Sequence, residues 1–389
     1  MIVTQLSLTD FRNYAQLDVL LHPGSNLFVG SNGQGKTNLV EALGYLSTLG
    51  SHRVSVDHAL IRQGQDSAIV RARLWHSERE VLAEVQINRS GANRAQINRS
   101  AIKTRELPRY FSSVLFAPED LALVRGEPSG RRKFMDELLV LRAPRMSAVI
   151  ADYERVLRQR NTLLKSARAS GVRGDQLSTL EIWDERLVAF GSEIIEARTA
   201  LITELSPEVS AAYTAIAGAD HAASLSIQLS IFASSPDEEA EHAEATRSGV
   251  VPAAAAAEEF RIALARLRRA ELDRGITLAG PHRDDLVLEL NGLPARGYAS
   301  HGESWSFALA LKLASAAVLR RESSSGDPVL ILDDVFAELD ESRRGRLAEA
   351  VGDFEQVLIT AAVFDDVPER LAAHVIRIRA GEVVTDVEG

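Results

Sequence analysis

Residues 30–37 read Gly30-Ser31-Asn32-Gly33-Gln34-Gly35-Lys36-Thr37, a complete G-x-x-x-x-G-K-T phosphate-binding loop, and no other stretch constrains the fold as tightly. The glycines let the backbone turn so that successive N–H groups point inward at a phosphate. Lys36 adds a fixed positive charge for the β- and γ-phosphates, and the Thr37 hydroxyl is a ligand for Mg²⁺. Such a loop works only between a strand and a helix, because the helix N-terminus supplies the positive dipole end. The flanks agree. Asn26 to Val29 is a short apolar strand, and Asn38 to Leu43 opens a helix.

A chain of 389 residues is long enough for two or three lobes with sizeable cores. It has no cysteine, which excludes disulfides, thiolate zinc sites, iron–sulfur clusters and cysteine nucleophiles. The first ten residues lack the basic flank and continuous apolar core of a signal peptide. No apolar run is long enough to span a bilayer, so the expectation is a cytoplasmic protein with no membrane partner. Net charge is −10, yet Arg53 to Lys133 carries fifteen Lys/Arg against nine Asp/Glu. A positive sector on an acidic chain is compatible with phosphate backbones on one face.

Residues 1 to about 110 are dense in strand-like runs: Ile2 to Leu8, Leu17 to Leu21, Ala68 to Leu74 and Val81 to Ile87. Ser90-Gly91-Ala92-Asn93 closes a hairpin onto Ala95 to Asn98. From about 130 to 215 the pattern turns helical. Tyr153, Val156, Leu157, Leu163 and Leu164 form one stripe; Ile182, Trp183, Leu187, Phe190, Ile194 and Ile195 form another. Neither sustains a heptad repeat, so a compact helical lobe is expected and no long coiled coil. Residues 233–259, Ala- and Glu-rich with few large apolar side chains, are expected to be a mobile insertion. Asp285 to Leu290, Asn291-Gly292 and Leu293 onward predict a hairpin.

Pro328 to Leu332 leads into Asp333-Asp334, the pattern of a buried parallel strand whose C-terminal edge faces a ligand. Beside a phosphate loop, Asp333 holds Mg²⁺ and Asp334 positions or deprotonates the attacking water. Ala299-Ser300-His301-Gly302-Glu303 then precedes a helix with Trp305, Leu309, Leu313 and Ala316 on one face, which makes Ser300 and Gly302 a second anion site.

This order of motifs resembles the ATP-binding-cassette ATPases. The resemblance implies that Ser300 and Gly302 of one protomer meet the γ-phosphate held by another, so that ATP cements a head-to-tail dimer. Two positions depart from that class. Its usual Gln is Glu303 here, and its switch His is replaced where Gln356 to Thr360 runs into Ala361.

Within that class the chain resembles the RecF family of bacterial recombination mediators over essentially its whole length. The carrying segments are Leu8 to Tyr14, Phe116-Ala117-Pro118-Glu119-Asp120-Leu121, Arg131 to Asp136, Gln159-Arg160-Asn161 and Gly280-Pro281-His282-Arg283-Asp284-Asp285. The resemblance implies a P-loop ABC-type α/β ATPase head. Its lobe I is residues 1–115 plus 325–389, built on mixed sheet, and its mainly helical lobe II is residues 116–324, carrying the signature segment. It implies Mg²⁺ and ATP as cofactors, weak DNA-stimulated hydrolysis, and an ATP-dependent homodimer on double-stranded and gapped DNA. It further implies action in gap repair, loading RecA with RecO and RecR. Arg12 is expected to reach the nucleotide or to sit in an ion pair, and Asp340 to meet the partner protomer or cap a helix. His282, Arg283, Asp284 and Asp285 are expected to form a buried hydrogen-bonded turn that knits the lobes together, with a catalytic role as the alternative. Arg53, Arg62, Arg94, Arg99, Lys103 and Arg105 are candidates for phosphate contacts. The alternatives are a transporter's nucleotide-binding subunit and a nucleotide-binding scaffold without hydrolysis.

Overall fold

The computed structural model describes residues 1–76, 79–170, 178–233, 245–323 and 326–384. The chain forms two compact units: unit 1 is residues 1–122, 211–220 and 300–389, and unit 2 is residues 123–210 and 221–299. The later boundary therefore falls at residue 300, before the signature helix, where the sequence placed it at 325. The reason is packing. That helix, α8 (His301–Glu322), is buried nearly all round, with Phe307, Leu309, Leu311 and Val318 inside, and it lies against a unit 1 strand. Its apolar surface has to be covered, and composition alone gives no sign of which unit covers it.

Numbered along the chain, unit 1 holds two six-stranded sheets. The first is antiparallel: β1 (Ile2–Phe11), β2 (Tyr14–Leu20), β4 (Ser67–His76), β5 (Arg79–Asn88), β6 (Arg94–Ile97) and β7 (Ser100–Ile102), in the order β2-β1-β4-β5-β6-β7. Period-two alternation buries Ala68, Val70, Ala72 and Leu74 of β4 and turns Arg71 and Arg73 outward, where they pair with Glu84 and Glu80 of β5. The hairpin expected at Ser90 to Asn93 joins β5 to β6, with Ala83 opposite Ile97.

The second sheet contains β3 (Gly24–Val29), β8 (Ser113–Phe116), β13 (Val329–Asp333), β14 (Gln356–Ala361), β15 (His374–Arg379) and β16 (Glu382–Val384), ordered β16-β15-β3-β14-β13-β8. All pairings are parallel except β15 with β16. Every residue of β13 is buried, as a central parallel strand requires. Helix α1 (Lys36–Thr48) puts Leu39, Val40, Leu43 and Leu46 into one core shared with both sheets. Helix α9 (Glu341–Val351) also belongs to unit 1, and the boundary at residue 122 falls inside the short α2 (Leu121–Arg125).

Unit 2 is built on α3 (Pro128–Arg142), α4 (Met146–Ser170), the Ser178 to Ser210 part of α5 (Ser178–Ala217) and α6 (Ala253–Arg274). A four-stranded sheet of β9 (Ser224–Gln228), β10 (Thr246–Arg247), β11 (Asp285–Leu290) and β12 (Leu293–Pro294) joins them, followed by the short, kinked α7 (Ala295–Tyr298). The Asn291-Gly292 hairpin forms between β11 and β12. In the interior, Arg160 is fully buried among Asp184 Oδ1 (2.7 Å), Glu271 Oε2 (2.6 Å) and Thr277 Oγ1 (2.8 Å).

Of the segment expected to be mobile, residues 234–244 lie outside the described residues. The rest of it corrects the expectation: Thr246 and Arg247 pair with β9, and Ala253 to Glu259 are the opening turns of α6. Alanine is the strongest helix former and Pro252 suits the position just before a helix, so an Ala-rich run without large apolar side chains still forms one.

Candidate nucleotide site

The phosphate loop leaves β3 and enters α1, as its pattern requires. Gly33 (φ 80°) and Gly35 (φ 110°) adopt left-handed conformations that disfavour side chains. A Cβ on Gly35 would come within 2.7 Å of both Asn13 Nδ2 and Tyr14 Oη, and Tyr14 donates to the Gly35 carbonyl at 3.0 Å. Gln34 is anchored by its backbone carbonyl, which accepts from Gly381 N at 3.1 Å. At Gly30 an added Cβ would lie 2.2 Å from the carbonyl oxygen of Ile378 in β15, which is backbone and has nowhere to go. Gly30→Ala is accordingly expected to lower stability by about 1–3 kcal/mol and to weaken nucleotide binding, read by thermal unfolding with and without ATP. Lys36 is buried, and its Nζ donates to the loop carbonyls of Gly30 (2.6 Å) and Ser31 (3.2 Å). Burial lowers its pKa, opposed by the charges of Asp334 and Asp333.

Asp333 ends β13 with its carboxylate buried. One oxygen, Oδ1, accepts from Thr37 Oγ1 at 3.0 Å and from Thr360 Oγ1 at 2.6 Å. Burial raises its pKa against those two hydrogen bonds. Asp334 is held with φ 54°, its N–H donating to the Thr360 carbonyl (3.2 Å) and hydroxyl (2.9 Å). Thr360, in the region where the resembled class carries a switch His, thus ties the Asp333 carboxylate and the Asp334 backbone to β14.

A hydroxyl and a carboxylate meeting at 3.0 Å are the hard oxygen donors that suit Mg²⁺. Among the described residues no cluster of three or more His, Cys, Asp or Glu is placed to hold a metal. Mg²⁺ is commonly held by one or two protein oxygens together with substrate phosphates, and Thr37 with Asp333 supplies such a donor set.

Several neighbours had no signal in the sequence. Glu41, fully buried on α1, takes both donors of Arg12 (Nε 2.9 Å, Nη2 2.7 Å), with Ser51 and Arg53 close by. Burial pushes its pKa up, but the hydrogen bonds and charges of Arg12, Ser51 and Arg53 outweigh it and hold the carboxyl below its ordinary value. The third Arg12 nitrogen donates to Ala59 O at 3.0 Å, so Arg12 sits in the ion pair. His52 Nε2 is buried 3.9 Å from Asp333 Oδ2 and has no hydrogen-bond partner among the described residues. Burial lowers its pKa, against the pull of nearby carboxylates led by Glu119.

Ser300 and Gly302 make no hydrogen bond to the loop or to Asp333 among the described residues. Ser300 is the exposed N-cap of α8: its Oγ accepts from Glu303 N and its N–H donates to Glu303 Oε2 at 2.8 Å. Glu303 therefore completes a capping box. Asp340 caps α9 through Arg343 N at 2.9 Å. Arg62 is paired with Asp10 and Arg53 donates to Asn38, whereas Arg94, Arg99, Lys103 and Arg105 are exposed with no ion pair among the described residues. Among the described residues, the turn at 280–285 bonds within unit 2, to Arg131, Arg132, Tyr153, Arg198 and Ser230.

Comparisons with known proteins agree with this geometry. Residues 2–380 match the model of the RecF/RecN/SMC N-terminal domain family. The DNA replication and repair protein RecF of Clavibacter sepedonicus is 67% identical, the match covering 99% of this chain and 95% of that protein. RecF of Leifsonia xyli subsp. xyli is 65% identical over 98% of this chain and 99% of its own length. Among solved structures, the recombination mediator protein RecF bound to ATP, of the RecFOR pathway, superposes with a TM-score of 0.85 at 28% identity, covering 98% of this chain and 96% of that one. An SMC head bound to the C-terminal winged-helix domain of ScpA shares the fold, with a TM-score of 0.52 at 14% identity. No described helix is long and apolar enough to cross a membrane.

Proposed function

Because this chain belongs to the RecF family of SMC-type ATPases, we propose that it is an ATP-driven switch on DNA in replication and recombinational repair. The observation that carries the reading is the joining of Thr37, Asp333, Asp334 and Thr360 at the mouth of the glycine loop. Lys36 exchanges the loop carbonyls for the β- and γ-phosphates. Thr37 and Asp333 would hold Mg²⁺, which would neutralise charge on the phosphate oxygens. Asp334, whose backbone is fixed by Thr360, orients and deprotonates the attacking water. Arg12 acts on the loop through Glu41 by bracing α1.

Ser300 and Gly302 sit at an exposed helix N-terminus, the geometry for receiving a γ-phosphate from a second copy. In this reading ATP binding assembles a homodimer, the dimer binds double-stranded and gapped DNA, and slow DNA-stimulated hydrolysis releases it. The exposed cations Arg94, Arg99, Lys103 and Arg105 supply phosphate contacts. RecO and RecR are the partners implied by the pathway named for the ATP-bound RecF structure, with RecA loading as the outcome.

The test is mass photometry of wild type and Ser300→Arg, with and without Mg-ATP. Wild type is expected to shift from monomer to dimer on adding ATP, and Ser300→Arg to stay monomeric while binding ATP normally. A wild type indifferent to ATP would sink the switch and leave a nucleotide-binding scaffold.

A further inference from the structure

Three segments singled out in the sequence, 131–136, 159–161 and 280–285, have no part in the nucleotide site, yet all three line one cleft of unit 2. Its volume is about 590 Å³, and Ser129, Arg132 and His282 also border a neighbouring cavity of about 430 Å³.

Two carboxylates of these segments are held by arginines, and the third, Asp284, is fully buried, its Oδ2 making no hydrogen bond among the described residues and lying 3.9 Å from Arg198 Nη1. Asp285 takes a bidentate pair from Arg131 (both 2.7 Å). Asp284 Oδ1 accepts from Ser230 N (2.9 Å) and Oγ (3.0 Å) beneath the turn. Asp136 is bidentate to Arg198 (2.9 Å each). The turn itself is fixed: Gly280 (φ 123°) would bring a Cβ to 2.5 Å from Phe260 and from the Tyr153 hydroxyl. Its ring, His282, is locked between Tyr153 Oη at 2.7 Å and the Thr277 carbonyl at 3.2 Å, and burial pushes its pKa down to about 3, so it is neutral.

What remains facing the cleft is a set of donors. Arg283 is exposed, and it has no ion pair among the described residues. Arg132 gives one nitrogen to the Asp284 carbonyl (2.9 Å) and likewise has no ion pair there. Burial lowers its pKa, with the charge of Arg198 adding to the shift and those of Asp285 and Asp284 opposing it. Asn161 spends its Oδ1 on Thr277 N (2.8 Å) and Oγ1 (2.7 Å), which leaves the amide Nδ2 as a donor. The Ser129 hydroxyl adds another on the first turn of α3. The one acid on the lining, Glu127, is paired with Arg296 at 2.8 Å. Two guanidiniums, an amide and a hydroxyl, with no free carboxylate, match a group carrying several acceptor oxygens and negative charge. The volume admits a whole nucleotide.

We propose that this cleft is a second phosphate-binding site, separate from the ATP loop, that holds phosphate groups of a nucleic-acid strand through Arg132 and Arg283. It rests on the DNA-binding part of the reading above. The test compares wild type, Arg132→Gln/Arg283→Gln and Arg132→Lys/Arg283→Lys by fluorescence anisotropy on a gapped duplex, with and without a 5′-phosphate at the gap, from 50 to 200 mM salt.

Each lost phosphate contact removes about 0.9 from the slope of log affinity against log salt. The Gln pair is therefore expected to flatten the slope by about two, so that wild type loses about tenfold more affinity across that range. ATP affinity and thermal midpoint should be unchanged, and the Lys pair should keep most of the slope. A flattening seen only with the 5′-phosphate identifies a strand end as the ligand; one seen with both duplexes identifies the backbone. An unchanged slope in the Gln pair, or an equal loss in the Lys pair, overturns the proposal. A wild type that bound no DNA would overturn it together with the DNA-binding reading, whereas a slope indifferent to these arginines overturns the cleft alone.

Discussion

Asp334→Asn is expected to leave ATP binding within a few-fold of wild type and to slow hydrolysis by about 10²–10⁴-fold, the usual worth of a positioned general base. The side chain that changes is half-buried at the mouth of the loop, and no hydrogen bond within the chain occupies its carboxylate among the described residues. Its backbone N–H donates to the carbonyl and hydroxyl of Thr360, and neither contact depends on the carboxylate. Asparagine is also the right replacement conformationally, since it tolerates the left-handed φ of 54° that alanine would resist. Single-turnover phosphate release, set beside equilibrium nucleotide binding, separates the two effects. Turnover at the wild-type rate would remove Asp334 from the chemistry.

Arg160→Leu is expected to cost about 3–5 kcal/mol, because it strands two carboxylates in the interior of unit 2. Arg160 and Glu271 have no exposed side-chain surface, and Asp184 has little. Glu271 would keep only the backbone N–H of Leu278 at 2.9 Å, and Asp184 only Arg268 at 2.6 Å. Urea unfolding reads the loss. A double variant, Arg160→Leu with Glu271→Leu, should recover part of it, since the more deeply buried charge then disappears with its partner. If the single variant unfolded like wild type, the network would be contributing no net stability.

The parts of the site legible in the sequence were those whose physics is local. The glycine loop, its strand, its helix and the Val329 to Asp334 strand each announce themselves within ten residues, and each lies where its pattern required. Thr37 and Asp333, 296 positions apart, were linked only because each belongs to a recognisable motif. What escaped were partners that no motif marks: Glu41, 29 positions from Arg12, and His52, which meets Asp333 from a loop without periodicity. A buried glutamate such as Glu41 looks in sequence like any solvated helix charge. Residues 253–259 were misread for the opposite reason: the lack of large side chains hid a strong local propensity. The unit boundary at 300 was invisible because α8 is apolar on most sides, so its sequence does not say which core it joins.

The parallel sheet has one more consequence, concerning the order in which the molecule can be made. The antiparallel sheet is complete by Ile102, but β3, which delivers the glycine loop, has for neighbours only β14 and β15. A ribosome must add roughly 350 residues after Val29 before Arg379 of β15 is available, which at about 5–20 residues per second takes on the order of 20–70 s. Throughout that interval the loop lacks the Ile378 backbone that packs on Gly30 and the Ala380–Gly381 turn that anchors Gln34. A chain cut short before β15 is therefore expected to take up nucleotide more weakly than the full-length protein, which equilibrium nucleotide binding to the two would read.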